Sequence, residues 1–234
     1  NNIQPQYLSA DKDSITVTAD GGTVITSDLL TLNDNDTITG GNGEDILNVV
    51  TNNTNKTIGK PKITNVETFN FNAANDLTLD MANISGINTF NTVNSTGAIT
   101  LTNIPSATTT LGLSGHLVNT INANYKASAL TNTSSDKLTV NLNDATNANI
   151  NIFLDATDPT KSVNGTNVNS FEYAEINVVS DSSLNTFDPK IVPPVLNPAT
   201  TGAPVVLTIS GVGALSIAAN AMVGIKDVVI TDPA

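Results

Sequence analysis

Three short segments begin at positions 63, 84 and 104, so they recur 21 and then 20 residues apart. They read Ile63-Thr-Asn-Val66-Glu-Thr-Phe69, Ile84-Ser-Gly-Ile87-Asn-Thr-Phe90 and Ile104-Pro-Ser-Ala107. A unit this short cannot enclose a core by itself. Its apolar row leaves water only when the next unit stacks on it, which is how a solenoid is built. The sequence around these units alternates apolar and polar residues with period two, as in Asp76-Leu77-Thr78-Leu79-Asp80 and Ala98-Ile99-Thr100-Leu101-Thr102. The same pattern runs through Ser14–Thr18, Lys137–Leu142 and Val205–Ile209. Period two is the mark of a strand with one buried face. The expected fold is therefore all-β, a parallel β-solenoid or β-helix of stacked coils of roughly 20 residues. The spacing is least regular near 126–160, where a β-sandwich-like insertion is the alternative. The best helical candidate is Asn124–Leu130, and it spans no more than about two turns.

A longer repeat overlies the short one. Asn65-Val66-Glu67-Thr68-Phe69-Asn70-Phe71 returns as Asn167-Val168-Asn169-Ser170-Phe171-Glu172-Tyr173. Asp45-Ile46-Leu47-Asn48-Val49 returns as Asp136-Lys137-Leu138-Thr139-Val140. These echoes divide the chain into N-terminal strands (1–28), a first solenoid module with a calcium loop (29–125) and a second module (126–187). Pro189, Pro193, Pro194, Pro198 and Pro204 mark 188–204 as a linker, because proline lacks a ladder donor. Residues 205–234 read as a partial third module.

Composition removes several functions. Aromatic residues are 4% and Trp is absent, so Val, Ile, Leu and Ala must fill the core. The net charge is −12, and all 9 basic residues are Lys. Phosphate neutralisation needs clustered Lys and Arg, so nucleic-acid binding is excluded. With 0 Cys there is no disulfide and no thiolate metal site. No apolar run approaches the ~18 residues of a membrane span, so no membrane insertion is expected. No charged n-region precedes an apolar stretch, so the chain reads as a fragment or as a protein exported without a cleaved signal peptide.

One segment carries candidate site chemistry. Gly40-Gly41-Asn42-Gly43-Glu44-Asp45-Ile46-Leu47-Asn48 fits the nonapeptide G-G-x-G-x-D-x-U-x at every specified position. Glycines let the backbone turn its carbonyls inward, the Asp supplies a carboxylate, and hard oxygens of this kind suit Ca²⁺. The preceding Thr31–Thr39 is a degenerate copy with Asp34 and Asp36, in which Asn33–Asn35 are expected to take the left-handed angles of the lost glycines. The expected calcium ligands are thus Gly40, Gly41, Asn42, Gly43, Asp45, Asp34 and Asp36. A same-side partner turn for Asp45 is missing in the sequence, since neither Gly21–Asp28 nor Gly59-Lys60 fits well.

The other candidates are weaker as chemistry. His116 is the one histidine and reads as a turn residue. Glycoside hydrolysis needs two opposed carboxylates. Asp76 with Asp80, and Asp155 with Asp158, read better as turn groups. Glu172 and Glu175, flanking Tyr173, read as an exposed strand face. No catalytic residue and no enzyme activity are expected.

The order Asp36-x-Ile-x-Gly-Gly-x-Gly-x-Asp-x-Leu-Asn-Val49, then Ile63-Thr-Asn-Val-Glu-Thr, then Leu-Thr-Leu ladders, resembles the surface-layer (S-layer) proteins of Gram-negative bacteria that carry RTX-type calcium repeats. The resemblance covers roughly 29–187, with an echo in 205–234. It implies a secreted, cell-surface structural protein that self-assembles into a calcium-dependent lattice, anchored on lipopolysaccharide through another domain. This chain departs from the family in having one complete nonapeptide where members often have several. The alternatives are an RTX adhesin or biofilm matrix protein that binds a cell or glycan surface, and a carbohydrate-active β-helix enzyme.

Overall fold

The computed structural model describes residues 5–18, 21–28, 31–51, 54–115, 117–130, 136–154, 171, 173–189, 206–219, 221–222 and 227–230. Among the described residues, twenty-one strands build three sheets. Every pairing between them is parallel. Sheet A has ten strands: β1 (Gln6–Tyr7), β3 (Val24–Ser27), β5 (Ile46–Val50), β8 (Thr68–Asn72), β11 (Thr89–Val93), β13 (Thr110–Ser114), β15 (Lys137–Asn143), β17 (Tyr173–Ser180), β19 (Val206–Gly211) and β21 (Asp227–Ile230). Sheet B has four: β2 (Ser14–Thr16), β4 (Thr37–Thr39), β7 (Lys62–Thr64) and β10 (Ile84–Ser85). Sheet C has seven: β6 (Lys56–Ile58), β9 (Leu77–Asp80), β12 (Ala98–Ile104), β14 (Val118–Tyr125), β16 (Thr146–Leu154), β18 (Ser182–Asp188) and β20 (Leu215–Ile217). From β5 to β11 the chain visits A, then C, then B, and returns to A one strand further along; before β5 the named strands alternate between A and B, and after β11 between A and C. This is a parallel β-solenoid, as the repeat spacing requires.

The alternation in the sequence follows from this architecture. Most parallel sheets are covered on both faces and read as unbroken apolar runs. A solenoid covers one face, so each strand keeps a polar row outside. The inward rows are continuous columns. In sheet A, Ile25, Leu47, Phe69, Phe90, Leu111, Val140, Ile176 and Ile209 stack in register, and all are buried. Ile58, Leu79, Leu101, Ala123 and Ile152 form the matching column of sheet C. Ile38, Ile63 and Ile84 line sheet B. Successive numbers in the sheet A column differ by 22, 22, 21, 21, 29, 36 and 33. One hydrophobic cluster runs from Leu8 to Ile209, so the core continues across positions 125 and 187.

The lengthening begins after Leu111, in the coil that follows the one carrying Pro105. Sheet B ends at β10, and the next coil presents Ile104-Pro105 at that place. Proline has no N–H to donate, so it cannot continue a ladder. Coils beyond it carry named strands on two faces, and the added residues fall between sheet C and sheet A. The segment 126–160 falls where the coils lengthen. Its strands β15 and β16 extend sheets A and C, and its described residues form no separate sandwich. At Asn124–Leu130 the strand β14 runs to Tyr125, and a 3-10 turn covers Ala127–Ala129. Among the described residues there is no α-helix, and no helix is long and apolar enough to cross a membrane.

Asparagine takes most of the left-handed positions outside glycine among the described residues. Asn65, Asn94, Asn103 and Asn147 have φ of 56°, 48°, 58° and 50°, in the left-handed region that asparagine tolerates better than other non-glycine residues. Asn65 and Asn94 stand between strands, whereas Asn103 and Asn147 lie within β12 and β16 where the ladder register shifts, so Asn serves both corners and bulges.

Candidate functional site

The glycine-rich nonapeptide forms the corner that leads into β5. Asp45 sits at its centre and is buried. Its Oδ1 accepts the backbone N–H of Thr23 at 2.7 Å, and its Oδ2 accepts that of Gly41 at 2.7 Å. Thr23 lies 22 residues earlier, one coil below. One coil above, Glu67 Oε2 accepts the Asp45 N–H at 2.8 Å. The backbone continues the ladder, since Glu67 N–H donates to the Asp45 carbonyl at 3.1 Å and Asn88 N–H to the Glu67 carbonyl at 2.9 Å. Acidic side chains thus staple successive coils through backbone amides that would otherwise be buried without acceptors.

The same device recurs at the other corners. Asp36, also buried, leads into β4. Its Oδ1 accepts Asp13 N–H at 2.9 Å and its Oδ2 accepts Asn33 N–H at 2.8 Å. Asp34 Oδ1 accepts the Gly59 N–H of the following coil. Asp76 Oδ1 accepts Ala98 N–H at 2.9 Å, and Asp181 Oδ1 accepts Ala214 N–H at 2.8 Å. Ser95 and Ser182 do the same with hydroxyl oxygens, for Ala73 and Ala145.

The glycines have a matching explanation. A Cβ on Gly40 would overlap the Asn65 carbonyl oxygen of the next coil and lie 2.6 Å from Asp45 Oδ2. Gly43 has φ +144°, and a Cβ there would lie 2.8 Å from Gly22 N. Both glycines let neighbouring coils close on Asp45. The Gly41 carbonyl accepts the Asn65 side-chain amide. The degenerate copy turns differently from the sequence expectation. Asn33, Asp34 and Asn35 are not among the left-handed residues. Asn33 Oδ1 accepts Asn35 N–H at 3.0 Å, and with the Asp36 carboxylate this closes the turn in ordinary geometry.

Of the expected ligands, the structure brings Gly40, Gly41, Gly43 and Asp45 together, with Asn42 in the same loop. Asp34 and Asp36 stand at the sheet B corner, apart from Asp45. A calcium ion takes 6–8 oxygens. Both Asp45 oxygens and both Asp36 oxygens already accept backbone N–H groups, so a cation would compete with these hydrogen bonds for the same carboxylates. Among the described residues no three or more His, Cys, Asp or Glu side chains are placed to hold a metal. The partner turn for Asp45 is Gly22–Thr23, and it offers an amide rather than a carboxylate. The segment Gly21–Asp28, which fits poorly as a partner turn by its sequence, supplies that turn through Thr23, and Glu67 carries no residue-type mark of a corner partner in the sequence. The signal for both is spacing, because each lies 22 residues from Asp45, one coil either way.

Burial raises the pKa of Asp36 above its ordinary 3.8, against the opposing effect of its backbone hydrogen bonds, with a further rise from the nearby Asp13 carboxylate. The folded chain therefore holds this proton more tightly than the unfolded chain does. Stability from this group is fully present below 3.8 and is lost as pH rises through the folded value. Urea unfolding of the native chain and Asp36→Asn, compared between pH 3 and 7, is expected to show the native chain losing ground to the variant as pH rises. A difference that is flat or grows with pH would contradict this sign.

The remaining candidates are placed as follows. Asp80 Oδ1 accepts Ala82 N–H at 2.9 Å and the Asn103 amide at 2.8 Å. Glu175 pairs with Lys137 at 2.6 Å across sheet A. His116, Asp155, Asp158 and Glu172 lie outside the described residues, as do Asn167–Ser170, Pro193, Pro194, Pro198 and Pro204. A trough of about 710 Å³ runs over the corners of successive coils, lined among others by Asn94, Asn143, Asp144, Ser180 and Asp181, with Val212 at its rim.

Compared with family models, curated proteins and solved structures, the chain matches none.

Proposed function

We propose that this chain is a structural, non-catalytic segment of a self-assembling bacterial surface layer, secreted and held at the cell surface through another domain. The observation that carries this reading is that the solenoid uses its polar side chains on itself. The corner carboxylates of Asp36, Asp45, Glu67 and Asp76 accept backbone amides of adjoining coils. Outward asparagines bond along the stack, as Asn70 to Asn48 at 2.9 Å and Asn151 to Asn122 at 2.9 Å. Such a chain is a regular spacer, with ten parallel strands in its longest sheet spanning roughly 43 Å along its axis. A net charge of −12 suits a solvated exterior, and the absence of Cys suits a matrix that is not held by disulfides. Calcium has no role at the Asp45 corner in this proposal.

Electron microscopy of the purified chain at rising concentration tests the reading. Ordered arrays or defined oligomers are expected. A chain that stays monomeric at every concentration and in every ionic condition would contradict it.

A second reading, an adhesin, rests on the trough. Its amides, hydroxyls and carboxylates, with Val212 83% exposed at the rim, suit a neutral polyhydroxylated chain. Calorimetric titration with neutral oligosaccharides separates the two readings, because saturable binding by a monomer supports the adhesin.

A further inference from the structure

Five successive strands of sheet A end at one side of the solenoid, and their ends line the trough. The last residues of β11, β13, β15 and β17 are Val93, Ser114, Asn143 and Ser180, and they pair in register. Gly211, the last residue of β19, continues the row against Val178. The residue after each strand, Asn94, Gly115, Asp144, Asp181 and Val212 in turn, opens the corner and lines the trough. The trough therefore runs along the solenoid axis, across four strand spacings of about 4.8 Å, or roughly 19 Å. Its volume of about 710 Å³ is that of a ligand site.

Two features set this row of corners apart from the carboxylate corners. The first is apolar. Leu142 pairs with Val178 and Asn143 with Ser180, so Val179 is an extra residue on β17. Such a bulge re-aims a side chain, and Val179 is 45% exposed. Val212, at the same corner one coil on, is 83% exposed. Neither valine belongs to the core. The second feature is polar. Asn70 and Asn151 bond to asparagines of the neighbouring coil. Asn94 instead stands exposed, and no described group bonds its side-chain amide. A Cβ on Gly115 would lie 2.0 Å from Asn94 Oδ1, so glycine leaves room for that amide. Asn143 Oδ1 accepts Ser180 Oγ at 2.8 Å, which leaves Nδ2 to donate. Asp181 Oδ1 accepts Ala214 N–H at 2.8 Å, which leaves Oδ2 to accept.

We propose that the trough binds a neutral, extended polysaccharide along the solenoid axis, one sugar ring to each coil. The inference rests on the adhesin reading and deepens it by naming the ligand's class and its step. The step selects the occupant. Corners recur about every 4.8 Å, and an extended chain of β-1,4-linked pyranose rings advances by close to that distance per ring. An extended peptide presents like-facing side chains about every 6.6 Å, out of step with the coils. Charge narrows the class. Asp144 and Asp181 lie on adjoining coils of a chain with net charge −12, and they repel uronic acids and other anionic sugars. The lining matches a ring on both counts. Hydroxyls find donors in Asn94 and Asn143 and an acceptor in Asp181, while the C–H face of a ring covers Val179 and Val212. The corners are already fixed by the ladder, so little order is lost on binding.

Calorimetric titration of the full chain tests this, with neutral oligomers of glucose and of N-acetylglucosamine in that linkage, from two rings to seven. Affinity is expected to rise by about threefold per added ring, near the low end of one net hydrogen bond, and to level off at five rings. Val212→Ser and Asn143→Ala are each expected to weaken the five-ring ligand by at least about fivefold. Tyr7→Ser is the control, because Tyr7 is an aromatic residue 65% exposed on β1, at the far end of sheet A, and it is expected to change nothing. Circular dichroism and melting check that the variants fold. Affinity that falls with Val212→Ser but does not depend on oligomer length overturns the one-ring step and leaves the adhesin reading standing. Binding unmoved by both trough variants overturns both, as does the absence of saturable binding by any oligomer.

Discussion

Replacing Phe90 by alanine is expected to destabilise the fold by about 3–5 kcal/mol, the usual cost of emptying a buried aromatic site. The size follows from where the ring sits. Phe90 stacks in register between Phe69 and Leu111 in the sheet A column, and all three are fully buried. Its ring also lies 4.9 Å from that of Phe71, tilted by 29°. Aromatic residues make up 4% of the chain, so this cluster is a local concentration of contact area in an otherwise aliphatic core. A solenoid relaxes poorly around such a hole, because each strand is held in register on both sides by a parallel neighbour. Urea denaturation with a fitted midpoint measures the loss. A cost under about 1 kcal/mol would mean that the column is not packed as described.

Asp45→Asn is expected to cost about 2–3 kcal/mol, more than an exposed carboxylate could account for. Asparagine keeps the shape but replaces one acceptor oxygen with a donor. Either Thr23 N–H or Gly41 N–H, each now 2.7 Å from a carboxylate oxygen, would then face another donor in a buried corner. The loss belongs to hydrogen bonding between coils, so it is expected to be the same in excess calcium and in excess chelator. A cost seen in calcium and absent in chelator would assign Asp45 to metal instead. Gly40→Ala tests the same corner by crowding, since its Cβ would overlap the Asn65 carbonyl, and it is expected to destabilise by at least as much.

The parts of the fold that repeat were legible in the sequence. Ile63 pairs with Ile84, and Phe69 pairs with Phe90, as their spacing of 21 requires. The third copy was misplaced. Ile104 lies in β12 opposite Tyr125, because Pro105 cannot extend sheet B. The longer repeat aligned Leu47 with Leu138, whereas the core column places Leu47 in line with Val140. With a side-chain period of two, a slip of two residues keeps the same face inward and leaves no trace in the pattern. The corner was legible as a motif but not in its bonding. Glycines and an aspartate are what a calcium loop needs, and they are also what a tight corner needs when coils close on a buried carboxylate. Deciding between the two requires knowing what lies one coil away, and Thr23 and Glu67 are 22 residues distant in either direction.

This solenoid is held by its own core and its carboxylate–amide corners. Calorimetric melting of the native chain in excess calcium and in excess chelator tests it most directly. The same midpoint is expected in both. An ion bound at about 100 times its Kd would add about 2.7 kcal/mol. In a chain of this length that raises the midpoint by roughly 5–10 °C. A rise of that size in calcium, abolished by Asp45→Asn, would contradict the account.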